Sequence, residues 1–403
     1  MAFFQFLFGN FRWLSVGILL TFLSSFGQTF FISVFSGEIR EAFSLSHGAW
    51  GGIYTLGTSV SAAVMLWSGA LTDLYRTRVL SVIVLLLFAC ACLAMALNPW
   101  AAVLPVVIFA LRLCGQGMMS HLAVVSMSRW FIASRGRALS ISGLGVALGE
   151  AILPVSAVSL MLVLDWRILW MGAAVVCVVA MPVIVLLLTQ ERTPQSHAES
   201  DVSFGMDQRH WTRMECLRHP LFWFMVPALL GPAAFGTAFF FQQVHFATVK
   251  GFEHIDLVAL FPIYTAVTFG AMLTSGWLLD KFGTPRLIPW FQVPAVAAFA
   301  FYGFSESLGT TLLGLLCMAL VTGSNNTLPN AFWAEFYGTR NLGAIKATAA
   351  AVMVLGSALG PGITGALIDF GVGIELQYLG VALYFVLTTV LMAIGVTRYA
   401  GRL

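Results

Sequence analysis

Twelve apolar runs alternate with short polar breaks along this chain. They fall near residues 13–36, 49–71, 79–97, 101–125, 138–162 and 168–189, and again near 220–248, 257–279, 287–304, 309–330, 342–367 and 376–397. Each is about as long as a helix that crosses a bilayer. Lipid offers no partner for a free backbone amide, so each run is expected to be helical. The prediction is an all-α membrane protein of twelve transmembrane helices, numbered here as spans 1 to 12. The polar stretch Gln190–Arg218 divides the runs six and six, giving an N-terminal bundle over 1–189, a linker over 190–218 and a C-terminal bundle over 219–403. A short surface helix is expected around Trp211, and the linker is too short for a core of its own.

Composition sharpens this picture. Hydrophobic residues make up 59% and charged residues 9% of the chain, and mean hydropathy is +0.91. A soluble domain carries about 25% charged residues, so this chain has too few to cover a water-facing surface. The segment from Trp13 to Phe35 lacks a small-residue cleavage site and is too long for a signal core, so it reads as the first span. Of the six cysteines, only Cys216 sits in a polar segment. The other five read as small buried hydrophobes, and no metal spacing links them.

The position of the charges sets the orientation. With a cytoplasmic N-terminus, the inside segments hold sixteen Lys and Arg residues and the outside only Arg40, Arg167 and Lys250. That bias places both termini and the linker in the cytoplasm, in a multi-pass protein expected in the inner, or plasma, membrane.

A charged turn repeats at half-chain spacing. Gly69-Ala-Leu-Thr-Asp73-Leu-Tyr-Arg76-Thr-Arg78 follows span 2, and Gly276-Trp-Leu-Leu-Asp280-Lys281-Phe-Gly283-Thr-Pro-Arg286 follows span 8. A turn repeated in this way marks a duplicated bundle, an architecture suited to moving a solute across a bilayer. The chain resembles the major facilitator superfamily. The charged turn resembles that family's Gly-x-Leu-x-Asp-x-x-Gly-Arg-Arg/Lys pattern, with the glycine after the aspartate replaced by Tyr75 or shifted away in the first copy. Ala334-Glu335-Phe-Tyr-Gly-Thr-Arg340-Asn-Leu-Gly343 is similar to the family's loop between spans 10 and 11. Arg112-Leu-Cys-Gly115-Gln116-Gly117 in span 4 resembles an arginine motif of proton-linked members. A narrower likeness, to the monocarboxylate porter and oxalate–formate antiporter branch, rests on Trp130-Phe-Ile-Ala-Ser-Arg135-Gly-Arg137 entering span 5. Span 8 lacks the basic residue that branch often carries, and Lys346 lies near the cytoplasmic end of span 11. The resemblance makes Asp73, Arg76, Arg78, Asp280, Arg286, Glu335 and Arg340 gate residues that hold the inner side shut. Ordinary inside-positive topology also accounts for their basic members.

Charges inside the spans are few and costly, and by default mark function. Arg112 lies mid-way along span 4 and Glu150 mid-way along span 5. Counting about 1.5 Å of rise per residue puts them at nearly one depth, where they can pair. The pair either serves substrate and proton or simply ties two helices together. Gln28, Tyr54, Gln116, Gln242, Tyr264 and His245 are further candidates on the substrate or proton pathway, each with helix–helix hydrogen bonding as the alternative. The glycines at 145 and 149, and at 356 and 360, give small-residue faces for close packing.

No phosphate-binding glycine loop, metalloprotease motif or nucleophile elbow is present, which leaves no legible ATP site, enzyme site, cofactor or bound metal. The reading is a secondary active transporter, working as a monomer by alternating access with proton coupling or exchange. Its partners are a small-molecule substrate, a proton and membrane lipid, with no nucleic acid. The leading substrate is a small organic anion such as a monocarboxylate. The alternatives are a proton-coupled antiporter exporting hydrophobic or cationic compounds, and a membrane sensor that binds a solute without moving it.

Overall fold

A chain this apolar must satisfy its backbone within each segment, and it does so as helix. The computed structural model describes residues 2–69, 71–131, 135–189 and 204–402, and among these there is no strand. Ten helices of 21 to 30 residues are long and apolar enough to cross a membrane, and the bent pair Phe11–Gly27 and Thr29–Ala42 makes an eleventh. His47–Ser68 is the remaining span. Its 22 residues reach about 33 Å, though glycine, serine and threonine dilute its apolar content. The expected twelve-helix membrane fold is present. Large side chains such as Leu86, Leu87, Val179 and Leu186 are exposed along the spans, as a hydrocarbon surround requires.

The helices gather into two units, Met1–Leu45 with Gly52–Ser200 and Ser46–Gly51 with Asp201–Leu403. In the first unit, span 1 runs along span 5 and span 3 along span 6. Small residues bring spans 1 and 5 together. Thr21 Oγ1 donates to the Ser142 carbonyl at 2.5 Å. Any side chain at Gly145 would strike Ile18 and Thr21, and one at Gly149 would strike Ser25. The second unit repeats the device, with span 7 along span 11 and no room for a side chain on Gly360 against the Ala234 carbonyl.

The polar stretch after the first bundle is more than a linker. Its first part, Gln190–Ser203, lies outside the described residues. From Phe204 onward the chain packs onto the second unit. Asp207 N donates to the Arg402 carbonyl, Trp211 N donates to the Tyr337 carbonyl, and Asn341 Nδ2 donates to the Trp211 carbonyl. Met206, Trp211 and Cys216 are buried in a core with Phe222, Trp333 and Tyr337. Trp211 therefore does not sit on a surface helix. The helix is Arg213–Arg218, started by a capping box in which Thr212 and Glu215 satisfy each other's backbone. Those hydrogen bonds hold the Glu215 carboxyl below its ordinary range. Burial pushes the Cys216 thiol up to about 12.

Several spans are not continuous α-helix. Span 1 passes through a 3-10 turn at Ser25–Gly27, becomes extended at Gln28 (ψ 155°) and resumes at Thr29, with a bend of 46°. Span 7 breaks at Gln242, between Pro220–Phe241 and Gln243–Lys250. Span 4 changes from α-helix at Leu104–Leu111 to π-helix at Arg112–Met119. Span 10 breaks at Asn326 and Thr327, between Leu308–Asn325 and Leu328–Tyr337. Irregular backbone at membrane depth survives only where protein or a water-filled cavity surrounds it. Breaks at the first and fourth span thus occur in both halves, while span 8 also turns at Ala259 and Leu260 and span 9 passes through a 3-10 turn at Ile288–Trp290.

Candidate functional site

Arg112 opens the π-helical turn of span 4 and is 1% exposed. A π turn widens the helix and shifts the phase of the residues that follow, a change often found at functional positions. Gly115, one turn on, lets span 1 come close. A side chain there would meet the Gly27 Cα and the Phe88 ring at 2.7 Å. Gly27 in turn has no room for a side chain against the Leu111 carbonyl. Two glycines crossing at contact distance bring the break in span 1 directly beside Arg112.

The guanidinium uses that break. Its Nη1 donates to the Gly27 carbonyl at 3.1 Å and to Thr29 Oγ1 at 3.4 Å, one partner on each side of Gln28. Thr29 Oγ1 also shares a 2.5 Å hydrogen bond with the Tyr54 hydroxyl. The Tyr54 ring lies 5.3 Å from the guanidinium carbon, within reach of a cation–π contact. Nε and Nη2 are buried with no hydrogen-bond partner among the described residues. A positive charge is therefore fully desolvated, fixed through one nitrogen, and left with an unused edge. In hydrocarbon such a charge costs several kcal/mol unless something compensates it.

The structure does not pair Arg112 with Glu150. Arg112 takes its contacts from a carbonyl, a hydroxyl and an aromatic ring. Arg112 stands at the start of the π turn, and the Gly27–Thr29 break of span 1 supplies acceptors that no count along span 4 contains. Glu150 is half-buried on span 5, next to the glycine that packs on Ser25.

The remaining pathway candidates divide between glue and open groups. Tyr54 is buried at the Arg112 site. Gln28 is the extended residue of the span 1 break, and Gln116 is half-buried within the π turn. In the second unit, Gln242 Nε2 donates to Thr364 Oγ1 at 3.4 Å and ties the span 7 break to span 11. Tyr264 donates to Thr322 Oγ1 at 3.1 Å and ties span 8 to span 10. The His245 ring stands edge-on to His47 at 4.2 Å. Sequence reading missed Gly27, Thr29 and Asn325. The last ends the upper half of span 10 with a buried, unpartnered Oδ1. The run Gly323-Ser-Asn-Asn-Thr-Leu-Pro329 inside an apolar span was the visible signal for it.

The residues expected to form a gate lie at the polar ends of the spans. The side chains of Asp73 and Asp280 are outside the described residues, as is that of Arg135. Arg76, Arg286, Glu335 and Arg340 are exposed and Arg78 is half-buried. Arg129, from the end of span 4, donates to the Thr72 carbonyl at 2.6 Å and pins the first turn. The second turn ends its helix at Gly283 with φ 75°, and the loop after span 10 uses Gly338 with φ 78°. Both conformations favour glycine. In the first turn the matching position, three residues past the aspartate, is Arg76, and it needs no glycine because it is extended there (φ −63°, ψ 140°).

A groove along spans 1 and 6, lined by Leu19, Phe22, Leu23, Val176, Val179 and Val183, has no polar group and gives a solute nothing to hydrogen-bond. Among the described residues no group of histidine, cysteine or carboxylate side chains is arranged to hold a metal.

No curated protein sequence matches the chain. Several solved structures do match in fold. A bacterial homologue of the human lysosomal transporter Spinster, inward-facing and unoccupied, superposes with a TM-score of 0.71 at 15% identity, over 97% of each chain. The nucleoside transporter NupG gives 0.70 at 12% identity, over 97% of this chain and 98% of that one. At such identities these likenesses speak to fold alone. A sequence model of the family itself, the Major Facilitator Superfamily, matches residues 17–361. Broken helices, a turn duplicated at half-chain spacing and that match agree, and the chain belongs to the Major Facilitator Superfamily.

Proposed function

We propose that this transporter carries a small organic anion, a monocarboxylate first, by alternating access driven by a proton gradient or by exchange. One observation carries the reading. Arg112 is a fully buried cation whose described partners are a carbonyl, a hydroxyl and an aromatic ring, with two donors unused. A protein keeps a charge so poorly compensated when something that visits the site completes it. An anion does so, and a cationic solute would be repelled. In this reading Tyr54, Gln28 and Gln116 surround the anion's entry to Arg112. Glu150 carries the coupled proton, and the carboxylates of the two turns, Asp73 and Asp280, hold the inner side shut.

The test is uptake into proteoliposomes. Radiolabelled lactate should accumulate saturably, faster with an inward proton gradient, and Arg112→Gln should abolish it. Efflux of a cationic dye that is indifferent to Arg112→Gln would favour the exporter instead. Binding without uptake would make the protein a sensor. The orientation, supported by the sixteen-to-three charge bias, is tested by cysteines introduced at Ser196 and Glu253. An impermeant reagent on intact cells should label the second and spare the first.

A further inference from the structure

The two unused nitrogens of Arg112 are not an arbitrary pair. Nη1 lies on the same side of the Nε–Cζ bond as Cδ, so Nη2 lies beside the Nε hydrogen. Nε–H and one Nη2–H run parallel in the guanidinium plane, and together they form the side-on fork that meets both oxygens of a planar carboxylate. Nη1, the one nitrogen outside that fork, is the one the protein occupies. We infer that the anchoring of Nη1 turns Arg112 into a carboxylate-selective fork, and that Thr29 and Tyr54 are the positioning residues that set this selectivity. The inference rests on the anion reading above and adds to it the geometry of the anionic group and the residues that choose it.

The chain of contacts supports the assignment. A guanidinium held only by charge is free to turn about its long side chain, and then meets tetrahedral and planar anions alike. Here three contacts remove that freedom. The Gly27 carbonyl and Thr29 Oγ1 fix Nη1 across the break at Gln28, and the guanidinium carbon rests over the Tyr54 ring at 5.3 Å. The Tyr54 hydroxyl further holds Thr29 Oγ1 at 2.5 Å, so the threonine cannot rotate away without breaking that bond. With Nη1 occupied, the end-on fork that would use both terminal nitrogens is unavailable. Only the Nε/Nη2 edge is left, and both its atoms are unpartnered among the described residues. A sulfonate or phosphonate has three oxygens in a pyramid and matches a single planar fork less well than a carboxylate does. The edge is sealed in this conformation, since Arg112 is 1% exposed. Both anchors of Nη1 flank the bend of span 1, so a change in that bend is what opens the edge to the ligand.

Ligand-dependent thermal unfolding of the purified full-length protein tests this, with benzoate, benzenesulfonate and phenylphosphonate as matched probes at equal ionic strength. The wild type should bind benzoate at least about tenfold more tightly than either analogue. Thr29→Val and Tyr54→Phe should each shrink that ratio to about threefold or less, and Thr29→Ser, which keeps the hydroxyl, should restore it. Arg112→Lys supplies a point charge without a fork, and should still bind anions but with a ratio near one. Ordinary overexpression yields and unfolding temperatures for these variants would separate a lost ratio from lost folding. Equal binding of all three anions by the wild type would overturn the fork while leaving anion transport standing, as would an Arg112→Lys protein that keeps the preference. Binding of none of them, with a cationic dye stabilising the protein instead, would overturn both readings.

Discussion

If Arg112 is kept for an anion, the protein is more stable without it. Consider Arg112→Met, which preserves an unbranched side chain and removes the charge. The two buried donors without partners cost about 1–3 kcal/mol each. A cation near the centre of a span costs about 2.5–3.5 kcal/mol on insertion scales. Against this stands the hydrogen bond to the Gly27 carbonyl at 3.1 Å, which returns about 1.5–3 kcal/mol for a charged donor. The second bond, at 3.4 Å, is at the long end of useful geometry and adds little. The Tyr54 ring contributes about 1–2 kcal/mol. Methionine also leaves the Gly27 carbonyl unmet, at about 1–3 kcal/mol. The midpoints of these ranges favour methionine by about 1 kcal/mol, which is about 2–4 °C in the unfolding temperature of a unit this size. Scanning fluorimetry of wild type and Arg112→Met in one detergent, beside lactate uptake in proteoliposomes, makes the comparison. A more stable and inactive variant is expected. A variant destabilised by several degrees would mean that the guanidinium holds the span 1 break together, and Arg112 would then be a structural residue.

Other perturbations address the turns and the docked segment. Asp73→Asn and Asp280→Asn should reduce uptake more than expression, because each removes a carboxylate from the inner gate, and full uptake by the double variant would dismiss the gate. Gly283→Ala and Gly338→Ala force side chains into φ 75° and 78°, and should each lower stability by about 1–2 kcal/mol, read as a drop in unfolding temperature, while Tyr75→Gly in the first turn should not raise it. His219, edge-on to Trp211 and Tyr399, has its pKa lowered by burial first and then by Arg402 and Arg209, with Asp207 opposing. The unfolded state then binds the proton more readily, so stability at this position is present above about pH 6.5 and lost as pH falls below it. Protection against hydrogen exchange at Met206–Arg218 should fall on acidification in the wild type and fall less in His219→Gln; an equal response would assign the sensitivity elsewhere.

The fold was legible because its causes are local. Each run had to be helical to satisfy its backbone in lipid, so counting runs counted helices. Glycines spaced four apart faced a neighbouring helix because that spacing returns to one side of a helix, and Gly145 and Gly149 meet span 1 accordingly. What composition concealed was docking. Phe204–Arg218 is polar enough to read as linker, with three arginines and its apolar residues scattered. Yet Met206, Trp211 and Cys216 are almost fully buried, because the surface they cover belongs to Trp333, Tyr337 and Phe222, far away in sequence. Sparse apolar residues become a core when a distant patch receives them, and no window along the chain contains that patch.

The site shows the same division at finer scale. Arg112 was visible as a charge inside a span, and its cost made it a candidate without any structure. Its partners were not, because depth along a span does not say which neighbouring helix a side chain faces. A π turn carries no compositional mark. Arg112-Leu-Cys-Gly115-Gln116-Gly117 would sit equally well in an α-helix, and the wider turn lies where Gly27 and Gly115 cross. Both glycines are visible in the sequence, but their meeting is not. The same crossing brings the free carbonyl of Gly27 to Nη1, and so decides which edge of the guanidinium is left for a ligand. Gly115→Ala therefore tests the origin of the site without touching its chemistry. A methyl group at 2.7 Å from Gly27 Cα and the Phe88 ring forces spans 1 and 4 apart. Nη1 should then lose its anchors, and the preference for benzoate over benzenesulfonate should fall while anion binding persists. An unchanged preference would show that the crossing of the two glycines is packing alone.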